Sequence, residues 1–256
     1  MIASQGIDVY RQDFNMQPLR CWRGADAADR QGLTEIRHVE GYLAFWDELL
    51  RRHPELYIDT CASGGRRNDL ETLRRSVPLL RSDCFSPAEA QQGHTMGLAL
   101  WMPYFGSGMY PADVYWYRSC IFPASRVGLD TRKKDHDYAL LKKMIAEFHA
   151  VEKYLLGDFY PLTPHSLALD VWAAWQFDRP ELGEGMVQAF RRDESPYETA
   201  RFKLRGLEPA ATYRVNDVDQ PQSAEARGKD LMETGLLVKL PQQRSSCIVR
   251  YQRVKQ

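Results

Sequence analysis

The spacing of apolar residues changes character partway along this chain. In the first part, short apolar runs alternate with helical patterns. Gly6–Tyr10 (GIDVY), Leu56–Thr60 (LYIDT) and Val77–Leu80 read as strands. Between the first two, Val39, Tyr42, Leu43, Phe45, Trp46, Leu49 and Leu50 recur at helical spacing from His38 to His53, and Pro54 closes that helix. Asp69–Arg75 suits a short helix with Asn68 or Asp69 as N-cap, and SPAEAQQGHTMGLAL a longer one capped by Ser86 with Pro87 at its first position. LWMPYFG (100–106) and DVYWYRSCIF (113–122) read as two further buried strands, and Tyr138–Leu156 as the longest amphipathic helix. Such alternation predicts repeated βα units and a parallel sheet.

From about Leu167 the period becomes two. WAAWQFD, GMVQAFRR, ARFKLRG, TYRVND, LLVKL and SCIVRYQRV alternate apolar and polar residues between turn signals, which predicts a small antiparallel β-sandwich. The break falls in GDFYPLTPHS (157–166), where Gly157, Pro161 and Pro164 end the helical pattern. Two domains are therefore expected, 1–160 and 161–256.

Composition narrows the class. Thirty-four basic residues balance 34 acidic ones, which argues against a nucleic-acid-binding surface. No run approaches the ~18 apolar residues of a membrane span, and the opening MIASQGIDVYRQ lacks the basic start and apolar core of a signal peptide. A cytoplasmic protein without membrane partners is expected. Five cysteines (Cys21, Cys61, Cys84, Cys120, Cys247) with no CxxC pair fit reduced thiols. The histidines are scattered, and His149, on the long helix, reads as a packing or surface residue rather than a ligand. The glycine clusters at 63–65 and 106–108 lack a nucleotide-binding context. Neither a metal nor a cofactor is expected.

Polar groups gather at the ends of the expected strands: Asp13 after the first, Cys61 and its glycines after the second, Asp83 after the third. In a parallel α/β architecture these ends share one side, where sites form. Paired carboxylates there suit glycoside hydrolysis, one as nucleophile and one as proton donor; alternatively, each aspartate caps the turn after its strand. Trp22, Trp101, Tyr104, Phe105, Trp116 and Tyr117 lie in or near the strand ends, where flat aromatic faces suit a sugar ring, though each taken singly reads as core.

Three segments carry a family resemblance. GIDVYRQDFN (6–15) resembles the nucleophile strand of the family 36, melibiase-type α-galactosidases; CASGGRRND (61–69) resembles that family's glycine-rich Cys…Arg-Phe-Asp motif; and RSD (81–83) is similar to its Trp-Thr-Ser-Asp. The tail, GLEPAATYRVNDVD and GKDLMETGLLVKLP, is similar to the family's C-terminal β-sandwich. The resemblance implies a partial (β/α)8 barrel, strands four to eight, followed by that sandwich. It implies a retaining α-galactosidase acting on α-galactoside oligosaccharides, with Asp13 as nucleophile and Asp83 as general acid/base. Asp69 is the rival for the second role. Arg11, standing where the family usually has lysine, Cys61, Gly64 and Arg67 would contact the sugar; Gln12 replaces a tryptophan. The family's N-terminal sandwich and first strands lie upstream of its nucleophile, so the chain is expected to be a truncated form that associates with a missing N-terminal half or with itself. A non-catalytic remnant binding sugar or protein is the alternative.

Overall fold

The structure, a computed structural model, describes residues 2–13, 15–61, 64–109, 113–130 and 132–254. They form two compact units, one of residues up to Asp83 with Phe105–Ser107, the other of Cys84–Tyr104 and the residues from Gly108 onward.

The first unit contains α1 (Ile2–Gln5), β1 (Val9–Gln12), α2 (Leu19–Ala25), α3 (Leu33–Arg52), β2 (Tyr57–Thr60) and α4 (Leu70–Leu73). Gly6 adopts φ +62°, so the strand expected from residue 6 starts later and runs on into Arg11 and Gln12. β1 and β2 pair in parallel, Val9 opposite Tyr57 and Gln12 opposite Thr60. The third strand expected at 77–80 shrinks to one parallel bridge between Val77 and Asp59. Pro78 accounts for this, since it has no N–H to continue the ladder. The two-residue alternation of β1 then decides what faces what. Tyr10 and Gln12 turn toward α3, where the Tyr10 ring meets Phe45 and Gln12 Oε1 accepts from buried Trp46 Nε1 at 3.0 Å. Val9, Arg11, Tyr57 and Asp59 occupy the opposite face.

The second unit begins with α5 (Ala88–Leu98), which opens with Pro87 rather than Ser86 at the N-cap. Residues 100–102, expected as the start of a strand, instead continue its last turn, with Trp101 and Met102 amides bonded to the Leu98 carbonyl; extended structure starts only at β3 (Gly106–Met109), whose first two residues belong to the first unit. The expected strand at 113–122 is also overturned, because Val114–Ser119 is a helix, α6. Asp113 caps it, accepting from the Trp116 amide at 2.7 Å, and this local bond prevails over the β-propensity of Val-Tyr-Trp-Tyr. β4 (Ala124–Val127) and α7 (Tyr138–Val151) follow, the helix giving way to a 3₁₀ turn over Glu152–Leu156.

The remainder is a six-stranded antiparallel sheet of β5 (Asp158–Pro161), β6 (Trp172–Arg179), β7 (Glu184–Arg191), β9 (Thr212–Asp217), β10 (Ser223–Arg227) and β12 (Ser245–Arg253), in the order β10-β9-β12-β7-β6-β5. The pair β8 (Thr199–Phe202) and β11 (Leu236–Lys239) forms a second layer. Trp172, Ala174, Val187 and Ala189 on one face of the large sheet share a core with Phe202, Leu236 and Val238 of that layer. Its other face is covered too. Phe190 stacks on Trp175 and meets Tyr115 of α6, and Gln188 donates to the Arg118 carbonyl. β6 and β7 are consequently buried on both sides almost throughout.

Candidate functional site

The parallel pairing of β1 with β2 sets Arg11 opposite Asp59, on the face turned away from α3. Arg11 Nη1 donates to Asp59 Oδ2 at 2.5 Å, while Nη2 reaches Asp13 Oδ2 at 3.4 Å. Asp59 is 4% exposed, and its other oxygen accepts from the Leu79 amide at 3.0 Å. Burial of the Arg11 guanidinium opposes its charge, but the bond to Asp59 together with the charges of Asp59, Cys61 and Asp13 outweighs this, and its pKa stays above the ordinary arginine value.

Cys61 follows β2 and is buried. Burial is the main cause that raises its thiol pKa; Arg11 opposes the rise, and the charges of Asp13, Asp83 and Asp59 add to it. Three carboxylates and one guanidinium thus lie close enough to a single thiol to act on it. The glycine turn explains how Asp83 comes so near. Gly64, at φ +72°, leaves little room for a side chain and holds a backbone conformation that side chains disfavour: a Cβ there would lie 3.2 Å from the Asp83 amide nitrogen and 3.4 Å from Asp83 Oδ2. At Gly65, φ +96°, a Cβ would lie 2.4 Å from the Arg81 carbonyl oxygen. Only glycines let this turn close on the Arg81–Asp83 segment.

Arg11, Asp13, Cys61, Gly64 and Asp83 therefore come together. Arg67 stacks over the Tyr42 ring of α3 at 5.3 Å, and Asp69 caps α4. Ala62 and Ser63, part of the motif that begins at Cys61, lie outside the described residues. Of the aromatic residues expected near the strand ends, Phe105 and Tyr117 are core, whereas Trp101 and Tyr104 are exposed. Asp59 escaped the sequence reading. Its signal was a carboxylate inside the apolar run LYIDT, an arrangement that demands a buried partner. A cavity of about 310 Å³ lies elsewhere, in the second unit, lined by Thr163, Trp172, Tyr197 and Phe202 among others and by no carboxylate or cation. Its walls supply no acid or base for chemistry. Among the described residues no group of histidine, cysteine and carboxylate side chains is arranged to hold a metal ion, and no helix is long and apolar enough to cross a membrane.

Comparison with known proteins places the chain among relatives of the glycoside hydrolases. Residues 172–250 match the glycosyl hydrolase family 36 C-terminal domain. The chain is 22% identical to α-galactosidase Mel36A of Lactobacillus acidophilus, over 92% of this chain and 33% of that protein. It is 26% identical to probable α-galactosidase C of Aspergillus terreus, over 86% of this chain and 30% of that protein. Among solved structures, the family 36 α-galactosidase AgaA of Geobacillus stearothermophilus superposes with a TM-score of 0.81 at 22% identity, covering 99% of this chain and 36% of AgaA. The α-galactosidase of Lactobacillus brevis gives 0.79 at 19% identity, over 100% and 37%. Residues 172–250 thus match the glycosyl hydrolase family 36 C-terminal domain, and the chain as a whole is homologous to part of that family's α-galactosidases. It spans about a third of the length of these relatives.

Proposed function

We propose that this chain carries the reacting carboxylates of a retaining α-galactosidase, Asp13 as nucleophile and Asp83 as general acid/base. The observation that carries the reading is geometric: at one end of the β1–β2 pair Arg11 reaches Asp13 at 3.4 Å, and the glycine turn after Cys61 lies against Asp83. In this reading Asp13 attacks the anomeric carbon and the glycosidic C–O bond breaks as Asp83 delivers a proton to the leaving oxygen. Water, deprotonated by Asp83, then releases the sugar and restores both groups. Arg11 donates to sugar hydroxyls, and Gly64 and Cys61 let the ring approach the backbone. Arg67, which stacks over Tyr42, follows the same glycine turn and is the remaining sugar-binding residue of this reading.

The same reading takes residues 1–160 as the later strands of a (β/α)8 barrel and 161–256 as the C-terminal sandwich domain, working in the cytoplasm with its thiols reduced. AgaA variants have been crystallised with raffinose and with stachyose, and an α-galactoside oligosaccharide of that kind is the substrate proposed here. One observation favours a second reading, a non-catalytic sugar- or protein-binding remnant. Val9 and Tyr57, on the same sheet face as Arg11, are 46% and 64% exposed, so that face is open to solvent beside Arg11. A partner covering that face, either the N-terminal half of such an enzyme or a second copy, would complete it.

The test is an assay of the 256-residue chain on an aryl α-galactoside, with Asp13→Asn beside it. Turnover by the parent, its loss in Asp13→Asn and rescue by azide to a β-galactosyl azide support the catalytic reading. Sugar binding without turnover supports the remnant.

A further inference from the structure

Asp59 occupies the middle of β2, opposite Arg11 in the parallel register, and is almost wholly buried. A buried carboxylate needs a partner for each oxygen, and Asp59 has one for each: Leu79 N–H on Oδ1 at 3.0 Å and Arg11 Nη1 on Oδ2 at 2.5 Å. The two bonds do different things. The first ties β2 to the segment leading to Asp83, beside the Val77 bridge. The second fixes an arginine that is otherwise a third exposed and has, among the described residues, only a long 3.4 Å side-chain contact with Asp13 besides. A guanidinium has five N–H donors in a rigid fork, so a carboxylate gripping one nitrogen aims the others. It also satisfies much of the arginine's charge, so Arg11 need not close onto Asp13 as a tight pair.

We propose that Asp59 is a positioning residue: it holds the Arg11 guanidinium beside Asp13 with its remaining N–H groups directed at the bound sugar. The proposal rests on the α-galactosidase reading of the site. Asp59 touches no reacting atom and acts through Arg11.

The test is Asp59→Asn in the full chain. Asparagine keeps an oxygen for the Leu79 amide but removes the charge that grips Arg11. Two readouts need no turnover: side-chain ¹⁵N NMR of the Arg11 guanidinium and hydrogen exchange of the Leu79 amide. Arg11 should change from restricted to freely averaged while Leu79 keeps its protection. Where turnover is measured, KM for the aryl galactoside should rise about 10- to 100-fold, the value of one charge-assisted hydrogen bond, with kcat changed far less. In an Arg11→Ala background, Asp59→Asn should add no further effect. Arg11 remaining as ordered in Asp59→Asn as in the parent overturns the proposal. Loss of Leu79 protection together with Arg11 order overturns it as well, because Asp59 would then serve the strand junction. An ordered Arg11 released by the substitution in a chain that turns over no galactoside leaves the positioning intact and refutes the catalytic reading instead.

Discussion

Two arginines, one in each compact unit, hold a pair of carboxylates, and they do so to different ends. Arg118 of α6 is 1% exposed and bonds to Glu147 at 2.6 Å, Asp219 at 2.7 Å and the Ser246 carbonyl at 2.9 Å. Burial opposes its charge, yet the bonds to Glu147 and Asp219 outweigh that and raise its pKa. Arg11 is 32% exposed and, among the described residues, bonds closely to Asp59 alone. The same chemistry is saturated in one place and left open in the other. A saturated buried ion network ties α6 to α7 and β12 and has nothing to offer a ligand. An arginine with donors facing water beside a 36%-exposed aspartate has hydrogen bonds to offer a ligand that displaces that water. The difference separates a clamp from the site proposed around Arg11.

The largest effect should come from the open side. Asp13→Asn should lower turnover of an aryl α-galactoside by about 10³-fold or more, with rescue by azide, and Asp83→Asn by about 10²- to 10⁴-fold. Should both variants retain activity, Arg11 and its neighbours would be no more a catalytic site than Arg118 is.

On the saturated side the expected loss is in stability. Arg118→Met strands Glu147 in the interior without a cation and should cost about 3–5 kcal/mol in urea unfolding. Adding Glu147→Leu should recover most of that cost, since a well-packed apolar pair replaces a buried ion pair at little net loss. A double variant as unstable as the single one would show that Arg118 does more than neutralise charge.

Asp178 sharpens the contrast, because it is a buried carboxylate with no cation bonded to it among the described residues. Tyr251 donates to its Oδ1 at 2.6 Å, and Asp158 stands opposite it across β5 and β6. Burial pushes its pKa up to about 6, with Asp158 and Glu181 adding to the rise against the Tyr251 bond. The fold therefore favours the protonated form. The stability this gives is complete below the ordinary value of 3.8 and is lost as pH climbs toward 6. Asp178→Asn should remove that slope. Between pH 4 and 7 the parent should lose up to about 3 kcal/mol relative to the variant in urea unfolding. Parallel pH profiles would refute the assignment.

Much of this was readable in advance where pattern and local bonding agree. The helix through Trp46, the Asp69 cap and the antiparallel strands from Trp172 onward follow from period and turn residues. So does the gathering of Asp13, Cys61 and Asp83, since ends of parallel strands share a side. The failures share a cause, a single residue overruling a run. Asp113 turned Val114–Ser119 into a helix, and Pro78 cut the third strand to one bridge. Asp59 was hidden because a strand pattern records which face a residue takes, not which cross-strand partner awaits it. Burial of β6 and β7 on both faces depends on α6, whose helical state the same pattern had obscured.

The smallest prediction concerns Asp69, the rival to Asp83. Its Oδ1 accepts from the Thr72 amide and its Oδ2 from the Thr72 hydroxyl, both at 2.9 Å, so both oxygens are committed to the start of a four-residue helix. A carboxylate bound in this way is a cap and resembles the saturated arginine more than the open one. Asp69→Ala should cost ~1 kcal/mol, a fall in Tm of ~2–4 °C for a chain of this size, and leave turnover essentially unchanged. A loss of turnover as deep as that of Asp83→Asn, without a matching loss of stability, would move the proton-donor role from Asp83 to Asp69. It would also mean that a fully hydrogen-bonded cap can leave its helix to do chemistry, which the two short bonds to Thr72 argue against.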